Sequence, residues 1–244
     1  MNTQLYTAAS GLLVEERRLE MVSNNLANLG TTGYRPQRTF ATLYETLSGA
    51  PAGGELRAAN RAVALAGAFE LPGPGQLRPT GRALDVAVGS DALFTVETPG
   101  GRRYTRDGSF SIDDGGRLVD NAGHNVLDVD GKPIQGLTPQ ASIGADGRVS
   151  DVGGELATLA VVRDPGGVLR LEGGNLYTAG GADAELETLD EPGLHPATLE
   201  SSAVQALGEL VQLVDAQRAF EGYQKLITMT MYDVNRRTVN DIAG

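Results

Sequence analysis

Residues 5–35, LYTAASGLLVEERRLEMVSNNLANLGTTGYR, carry an apolar repeat that sets the expected fold. The repeat is formed by leucines at seven-residue intervals, namely Leu5, Leu12, Leu19 and Leu26. Ala9 and Val22 supply part of the intermediate row, and Glu15 and Glu16 interrupt it. A heptad repeat lets helices pack side by side along their length. The stretch therefore predicts a helix that needs a helical partner.

Three asparagines, Asn24, Asn25 and Asn28, stand where the apolar stripe should continue. Asparagine in a helix interior competes with the backbone for hydrogen bonds and weakens an isolated helix. Two interpretations stay open. The amides cap the helix end before Gly30, for which we expect a left-handed conformation. Alternatively they bond to neighbouring subunits and fix register, in which case Asn25→Leu should permit mixed register.

The C-terminal end repeats the heptad pattern. The repeating positions are Ala206, Leu213, Phe220, Ile227 and Val234, flanked by Leu210, Ala216 and Tyr223. Residues 201–238 contain no proline, and Ser201 or Ser202 can cap the start, with Gln205 near the capping-box position. The pattern predicts a helix of roughly 38 residues, about 57 Å long. A helix of that length needs a partner along its length.

Between the ends the apolar period changes to two. Short strands are predicted at residues 85–88, 93–96, 104–105, 109–112, 118–119, 126–127, 142–143, 156–162 and 168–171. Frequent Gly-rich turns between such short strands indicate an antiparallel β domain. We therefore expect an α+β fold, with terminal helices pairing as a coiled-coil-like stem around a central all-β domain. The expected segments are helix 1–35, linker 36–80, β domain 81–180, linker 181–198 and helix 199–244.

Composition and charge exclude several function classes. The 244 residues carry a net charge of −11, include 33 glycines and contain no cysteine. Residues 1–47 are neutral and residues 197–244 carry −2, so the middle carries −9. An acidic middle argues against a nucleic-acid partner, which needs clustered basic residues. We also expect no membrane insertion and no cleavable secretory signal, because no suitable apolar segment is present.

No catalytic or cofactor-binding pattern is found. Asp128-Val129-Asp130-Gly131 and Asp146-Gly147 resemble pieces of calcium loops, but the full loop is missing, and turns explain Asp-Gly pairs. His124 and His195 have no zinc-ligand spacing, and Ser109 has no evident base nearby. We expect no metal, no cofactor and no enzymatic activity.

Three blocks of the sequence form a set of motifs in a fixed order. The first comprises Ala9-Ser10-Gly11-Leu12, Asn24-Asn25-Leu26-Ala27-Asn28 and Thr32-Gly33-Tyr34-Arg35. The second is Tyr104-Thr105-Arg106-Asp107-Gly108-Ser109-Phe110 with Gly116, Leu118-Val119 and Val126-Leu127. The third is Leu199-Glu200-Ser201-Ser202 and Gln217-Arg218-Ala219-Phe220-Glu221. Together the blocks resemble the signatures of the bacterial flagellar rod and hook family, and they occur in that family's order.

Two departures from the family pattern stand out. Residues 89–94, GSDALF, replace the usual Gly-Asp-Gly-Phe-Phe, which puts the geometry of that turn in doubt, and Ser202 replaces a common asparagine. In the third block, Arg218 forms either a helical surface pair with Glu221 or a contact with another helix. Both readings of Arg218 stay open.

The resemblance implies a structural subunit of the flagellar axial rod, most like the proximal-rod protein and next most like the distal-rod protein. It further implies self-assembly that transmits torque, with other copies, other rod and hook proteins and the type III export apparatus as partners. The subunit would lie in the periplasmic rod. The alternative is a secreted or cell-surface β-rich binding module that is oligomerised by its terminal helices.

Overall fold

A computed structural model describes residues 2–46, 60–71, 73–89, 91–180 and 186–243. The chain divides into two compact units. The first, here the helical unit, comprises Met1–Ala27, Pro36–Leu71 and Gln205–Gly244. The second, here the β unit, comprises Asn28–Arg35 and Pro72–Val204. Each unit is described by itself.

The helical unit contains two long helices and one hairpin. Its elements are α1 (Asn2–Ala27), β1 (Gln37–Thr46), β2 (Asn60–Glu70) and α2 (Ala206–Ala243). The helices run antiparallel, because Asn25 near the end of α1 contacts Glu209 near the start of α2, while Gly11 faces Tyr223. A methyl group on Gly11 would lie 2.6 Å from the Tyr223 ring. Glycine at this position therefore permits close helix packing.

The hairpin pairs β1 with β2 over their full lengths. Its antiparallel register runs from Gln37 opposite Glu70 to Thr46 opposite Asn60, with an irregularity between Phe40 and Ala41. At the open end, the Leu71 N–H donates to the Pro36 carbonyl at 3.0 Å. The Phe40 and Phe69 rings lie on this ribbon with their centroids 6.2 Å apart, and both are partly exposed.

The β unit is built from sixteen short strands among its described residues. They are β3 (Leu77–Pro79), β4 (Val86–Ala87), β5 (Ala92–Thr98), β6 (Gly101–Thr105), β7 (Ser111–Ile112), β8 (Leu118–Val119), β9 (Asn125–Val126), β10 (Ser142–Ile143), β11 (Arg148–Asp151), β12 (Gly154–Thr158), β13 (Val161–Arg163), β14 (Leu169–Gly173), β15 (Leu176–Ala179), β16 (Glu187–Thr188), β17 (His195–Pro196) and β18 (Thr198–Glu200). All pairings between them are antiparallel.

The largest sheet of the described chain has nine strands. Seven follow the order β14-β15-β6-β5-β9-β8-β7, while β13 pairs with both β5 and β16. A separate sheet has the order β10-β11-β12, and β17-β4 and β18-β3 form two-stranded pairs. The last two pairs join residues 195–200 to the start of the β unit, so the unit is closed by its own C-terminal segment.

The core of the β unit lies around two phenylalanines. The Phe94 and Phe110 rings are fully buried and meet edge to face at 5.0 Å between centroids. Apolar residues of the strands, including Leu118 and Val161, surround them together with Ile134 from the segment between β9 and β10. Burying an aromatic side chain stabilises a fold by roughly 2–3 kcal/mol. The period-two pattern in the sequence reflects these inward-facing positions.

The predicted α+β fold is confirmed, and three local expectations are corrected. The expected linker at residues 36–80 contains strands β1, β2 and β3. The C-terminal helix begins at Ala206 rather than near Ser201. Its start is displaced because the Ser201 N–H donates to the Gln76 carbonyl at 2.8 Å, within the β unit. Gly30 is not left-handed, and the positive φ of 66° occurs at Gly33 instead.

Candidate assembly surface and signature junction

On α1, the predicted heptad leucines line the edge of the packed face. Leu5, Leu12, Leu19 and Leu26 are all half-buried. The most buried positions lie beside them, at Ala8, Gly11, Val22 and Asn25. Small residues at Ala8 and Gly11 bring the backbones close together, and this explains part of the Ala9-Ser10-Gly11-Leu12 block.

On α2, two neighbouring rows of residues repeat every seven positions, and the predicted heptad residues form one of them. Leu213, Phe220 and Ile227 are half-buried, while the side chain of Val234 lies outside the described residues. The second row comprises Glu209, Ala216, Tyr223 and Thr230, of which the first two are fully buried. Leu210, expected to widen the stripe, is instead exposed.

Gln217 and Arg218 are exposed on α2, away from the buried row. Glu221 accepts a hydrogen bond from the Gln217 amide at 3.5 Å. Both readings of Arg218, a surface pair with Glu221 or a contact with another helix, stay predictions.

Both helices also carry large apolar side chains that their own pairing does not cover. Tyr6 and Leu13 on α1 are 60% and 63% exposed, and Leu207 and Tyr232 on α2 are 77% and 75% exposed. Val211 and Val214 continue the exposed face beyond Leu207 at helical spacing. Exposed apolar residues in such numbers on one element mark an interaction surface.

Asn25 is fully buried, and its amide is used within the chain. Its Nδ2 donates to the Gln37 carbonyl at 2.9 Å, and its Oδ1 accepts the Gln37 N–H at 3.0 Å. This reciprocal pair attaches α1 to the base of the hairpin. Bonds from Asn25 to neighbouring subunits stay a prediction.

Asn28 and Asn24 differ from Asn25. The Asn28 Oδ1 accepts the Thr31 hydroxyl at 3.0 Å, and its carbonyl accepts the Thr31 N–H at 3.2 Å. Asn28 thus supports the turn that follows the helix, and the capping of the last helix carbonyls by the amides stays a prediction. Asn24 is exposed, and its contact with a neighbouring subunit stays a prediction.

A buried carboxylate completes this arrangement. Glu209 accepts from Arg38 Nη1 at 3.0 Å, from Arg38 Nη2, and from Asn25 Nδ2 at 3.3 Å. We call Asn25, Gln37, Arg38 and Glu209 the Glu209 clasp. Bidentate pairing with arginine offsets the desolvation of a carboxylate that is 1% exposed.

The three sequence blocks meet in the β unit, at a group of contacts that we call the signature junction. Arg106 Nη2 and Nε donate to Glu200 Oε2 at 2.6 and 3.1 Å. The other Glu200 oxygen accepts the Gly75 N–H at 2.8 Å. Both charged side chains are 2% exposed. Arg106 and Glu200 therefore stabilise the unit only when both are present, since either side chain alone would be an unpaired buried charge.

Arg106 also holds the turn that departs from the family pattern. Its Nη1 donates to the Ala92 carbonyl at 2.8 Å, and its Nη2 donates to the Gly89 carbonyl at 3.1 Å. Burial lowers the pKa of the Arg106 guanidinium, and the charge of Glu200 raises it. One guanidinium thus links Gly89 and Ala92 to the third block.

The first block reaches the junction through its backbone. The Gly33 N–H donates to the Glu200 carbonyl at 2.8 Å, and the Ala203 N–H donates to the Tyr34 carbonyl at 2.9 Å. A Cβ on Gly33 would lie 2.7 Å from the Arg106 carbonyl, and the residue has a left-handed φ. Only glycine fits both requirements without strain.

The remaining residues of the β-domain motif are mostly core and turn residues. Tyr104, Thr105 and Phe110 are buried. Gly108 passes so close to β4 that a Cβ there would lie 1.7 Å from the Val86 carbonyl. Asp107 accepts the N–H of Ser109 at 3.0 Å and also its hydroxyl. Burial raises the pKa of Asp107, while the bonds from Ser109 and Asn121 oppose that rise.

Sequence reasoning missed the partners of the two buried acids. Glu200 was quoted only as part of a signature, and Glu209 and Arg38 were not singled out. Their partners lie 94 and 171 residues away along the chain, so no local period reveals them. A glutamate on the apolar face of a heptad helix was the available signal for Glu209.

Two features are absent from the described residues. In these ranges no helix is long and apolar enough to cross a membrane. No group of three or more histidine, aspartate and glutamate side chains there is arranged to hold a metal ion. His124 instead contacts Asp120, with its Nδ1 lying 2.8 Å from the carboxylate Oδ2.

Comparison with known families assigns all three blocks. Residues 5–35 match the family described as flagella basal body rod protein. Residues 87–151 match the flagellar hook protein FlgE/F/G D1 domain, and residues 195–241 match the flagellar basal body rod FlgEFG protein C-terminal.

Individual relatives match over nearly the whole chain. The flagellar basal-body rod protein FlgF of Rhizobium meliloti (strain 1021) is 33% identical over 232 residues, covering 93% of this chain and 92% of its own. The chain belongs to the flagellar basal-body rod family. The rod protein FlgG of Bacillus subtilis (strain 168) is 30% identical over 264 residues, covering 98% and 99% of the two chains. A Caulobacter vibrioides rod protein, FlgF, is 31% identical over 234 residues, covering 94% of each.

The family predicted from the sequence is thus confirmed, and the chain is a basal-body rod protein of the flagellum. Its fold accounts for the spacing of the family's signatures. Each of the three blocks contributes to the signature junction of the β unit, and the first and third also supply the paired helices.

Proposed function

We propose that this rod-family chain is a structural, non-enzymatic subunit that self-assembles through α1 and α2 and transmits torque from motor to hook. The exposed apolar side chains on both helices carry the proposal. The two helices already pair with each other, yet Tyr6, Leu13, Leu207 and Tyr232 stay exposed to water. Packing these side chains against other rod and hook subunits would remove them from water. Open stacking needs two unlike surfaces, which α1 and α2 supply.

The experiment is complementation of a deletion strain with a surface variant. Leu13→Gln combined with Leu207→Gln removes two exposed apolar side chains and should leave the thermal unfolding of the purified chain unchanged. We expect swimming to be lost. Glu16→Gln, an exposed change on α1, is the control and should restore motility. Full swimming of the double variant would overturn the assembly role of these helices.

The proposal includes export by the flagellar type III apparatus, without a cleavable signal, to the periplasmic rod. Deleting residues 2–26 removes most of α1 and spares residues 28–35 of the β unit. We expect this deletion to abolish export, whereas the Leu13→Gln, Leu207→Gln variant should be exported without being incorporated. Export of the deletion variant at the normal level would contradict a signal in α1.

We place the subunit in the proximal part of the rod. The stretch MNTQLYTAASGLL supports this position through the family resemblance. Basal bodies purified from the deletion strain should then lack the distal rod and hook, because a proximal segment is needed before distal growth. Basal bodies with a complete rod would exclude the proximal assignment.

A further inference from the structure

The Glu209 clasp joins three separate elements through one buried carboxylate. The carboxylate lies on α2, the amide of Asn25 on α1, and Gln37 and Arg38 on β1 at the base of the hairpin. Glu209 occupies a buried heptad row that otherwise contains Ala216, Tyr223 and Thr230. An apolar residue would satisfy helix packing at that position, so packing alone does not account for an acid.

The hydrogen bonds of the clasp depend on one another because they share donors and acceptors. Asn25 Nδ2 divides its two hydrogens between the Gln37 carbonyl and Glu209 Oε2. Arg38 Nη1 donates both to Glu209 and, at 3.2 Å, to the same Gln37 carbonyl. The Gln37 carbonyl therefore accepts from two side chains, and Glu209 accepts from each of these two as well. If α2 moves away, Asn25 and Arg38 both lose an acceptor within the same small volume.

We propose that Glu209 is a latch that makes the docking of the hairpin base conditional on the pairing of α1 with α2. While the helices are paired, the carboxylate holds Arg38 and Asn25 in the geometry that binds Gln37. When the helices separate, the hairpin base is released. The hairpin thus responds to the state of a helix pair whose outer faces carry the exposed apolar residues.

Hydrogen exchange of the purified full-length chain tests the latch. The Gln37 amide reports on the hairpin base because it donates to Asn25 Oδ1. Amides of α1 and α2 near Val22 and Ala216 report on helix pairing. Glu209→Gln should speed Gln37 exchange at least tenfold and leave the helix amides unchanged. Arg38→Gln, which removes the other side of the ion pair, should do the same.

The decisive variant lies far from the hairpin. Gly11→Val places a branched side chain against the Tyr223 ring and should separate the helices. The latch predicts that Gln37 exchange then rises at least tenfold, although residue 11 lies two heptads from Asn25. Asp215→Asn is the matched control, because it removes one exposed negative charge from α2 and should leave Gln37 protected.

Two results would overturn the latch. The first is a protected Gln37 amide in Gly11→Val when the helix amides have lost protection. The second is a uniform rise of exchange over the whole helical unit in Glu209→Gln, which would make Glu209 a general stabilising residue. Because the purified chain is measured, these outcomes are independent of rod incorporation and motility.

Discussion

Ala197 adopts a backbone conformation that usually belongs to glycine. Its φ is 50°, between β17 and β18, and its carbonyl accepts the N–H groups of Thr80 and Gly81. The left-handed region costs an L-residue roughly 1–2 kcal/mol, partly offset by the lower chain entropy of alanine when unfolded. We expect Ala197→Gly to stabilise the β unit by about 0.5–1 kcal/mol. Chemical denaturation measures the change, and lower stability would show that the strain is absent.

Gly108 is a residue whose replacement should be costly. An added Cβ would overlap the Val86 carbonyl, which belongs to the strand backbone and cannot rotate away. Overpacking of this kind costs typically 1–3 kcal/mol, so we expect Gly108→Ala to destabilise by about 3 kcal/mol. Gly153 is exposed with nothing near its Cβ position, and Gly153→Ala is the control expected to change little. Equal stability of the two variants would contradict the close approach.

The half-buried Asp107 should give stability a recognisable pH dependence. Burial raises its folded-state pKa above the ordinary 3.8, so the folded chain retains the proton to higher pH than the unfolded chain. The resulting stabilisation is present at low pH and is lost as the pH rises through the folded pKa. Relative to Asp107→Asn, the wild-type chain should therefore be more stable at pH 4 than at pH 7.

Asp113 should make stability depend on pH in the opposite direction. Hydrogen bonds from Arg117 lower its pKa, so its contribution is present above pH 3.8 and is lost as the pH falls. Thermal unfolding of the wild-type chain, Asp107→Asn and Asp113→Asn at about pH 2.5, 4 and 7 should show the Asp113 contribution falling below pH 4 and the Asp107 contribution falling above it. The same trend in both variants would rule out burial as the cause at Asp107.

At the scale of elements, the packing of α1 on α2 requires glycine at position 11 but not at position 222. Gly11→Ala places a methyl 2.6 Å from the Tyr223 ring, so we expect it to destabilise the helical unit by about 1–3 kcal/mol. Gly222 has open space around its Cβ position, and Gly222→Ala should stabilise α2 by up to about 1 kcal/mol. Circular dichroism during thermal unfolding measures both. A stabilised Gly11→Ala would show that the helices do not meet there.

Local periods in the sequence predicted some elements and missed others for physical reasons. The heptads identified both helices, since a repeat over several turns is independent of distant partners. The hairpin was missed because its strands are 10 and 11 residues long and one is rich in alanine and glycine, a composition typical of loops. The predicted start of α2 was wrong because the Ser201 N–H donates to the Gln76 carbonyl. The residues near Ser201 in the sequence give no sign of this distant partner.

Among the candidate site residues, too, those in a local repeat were predicted and those that depend on distant partners were not. Leucines of the seam were found because they repeat, and their half-buried positions agree with a packed face. Arg106 was identified only as part of the β-domain motif. Its ion pair with Glu200 was not predicted, because the two residues lie in distant segments of the chain. The contacts of Asn25 with Gln37 and Glu209 were not predicted, since these partners come from elements whose positions the sequence does not give.

At the scale of the whole molecule, the two units should unfold separately. Each has its own buried residues, with the Glu209 clasp in one and the Phe94 and Phe110 core in the other. We expect calorimetry to show two transitions, because two-state behaviour is a property of single domains. Gly11→Ala should lower one transition and Gly108→Ala the other. A single transition that both variants lower equally would show that the units fold as one.

The hydrogen bond from the Leu71 N–H to the Pro36 carbonyl closes the base of the hairpin, so the two strands are joined at one fixed end. Because side chains alternate between faces, inserting two residues in each strand would keep every side chain on its original face. Each such insertion would lengthen the ribbon by about 7 Å. The hairpin can therefore change length without altering the contacts of Asn25 and Arg38 at its base.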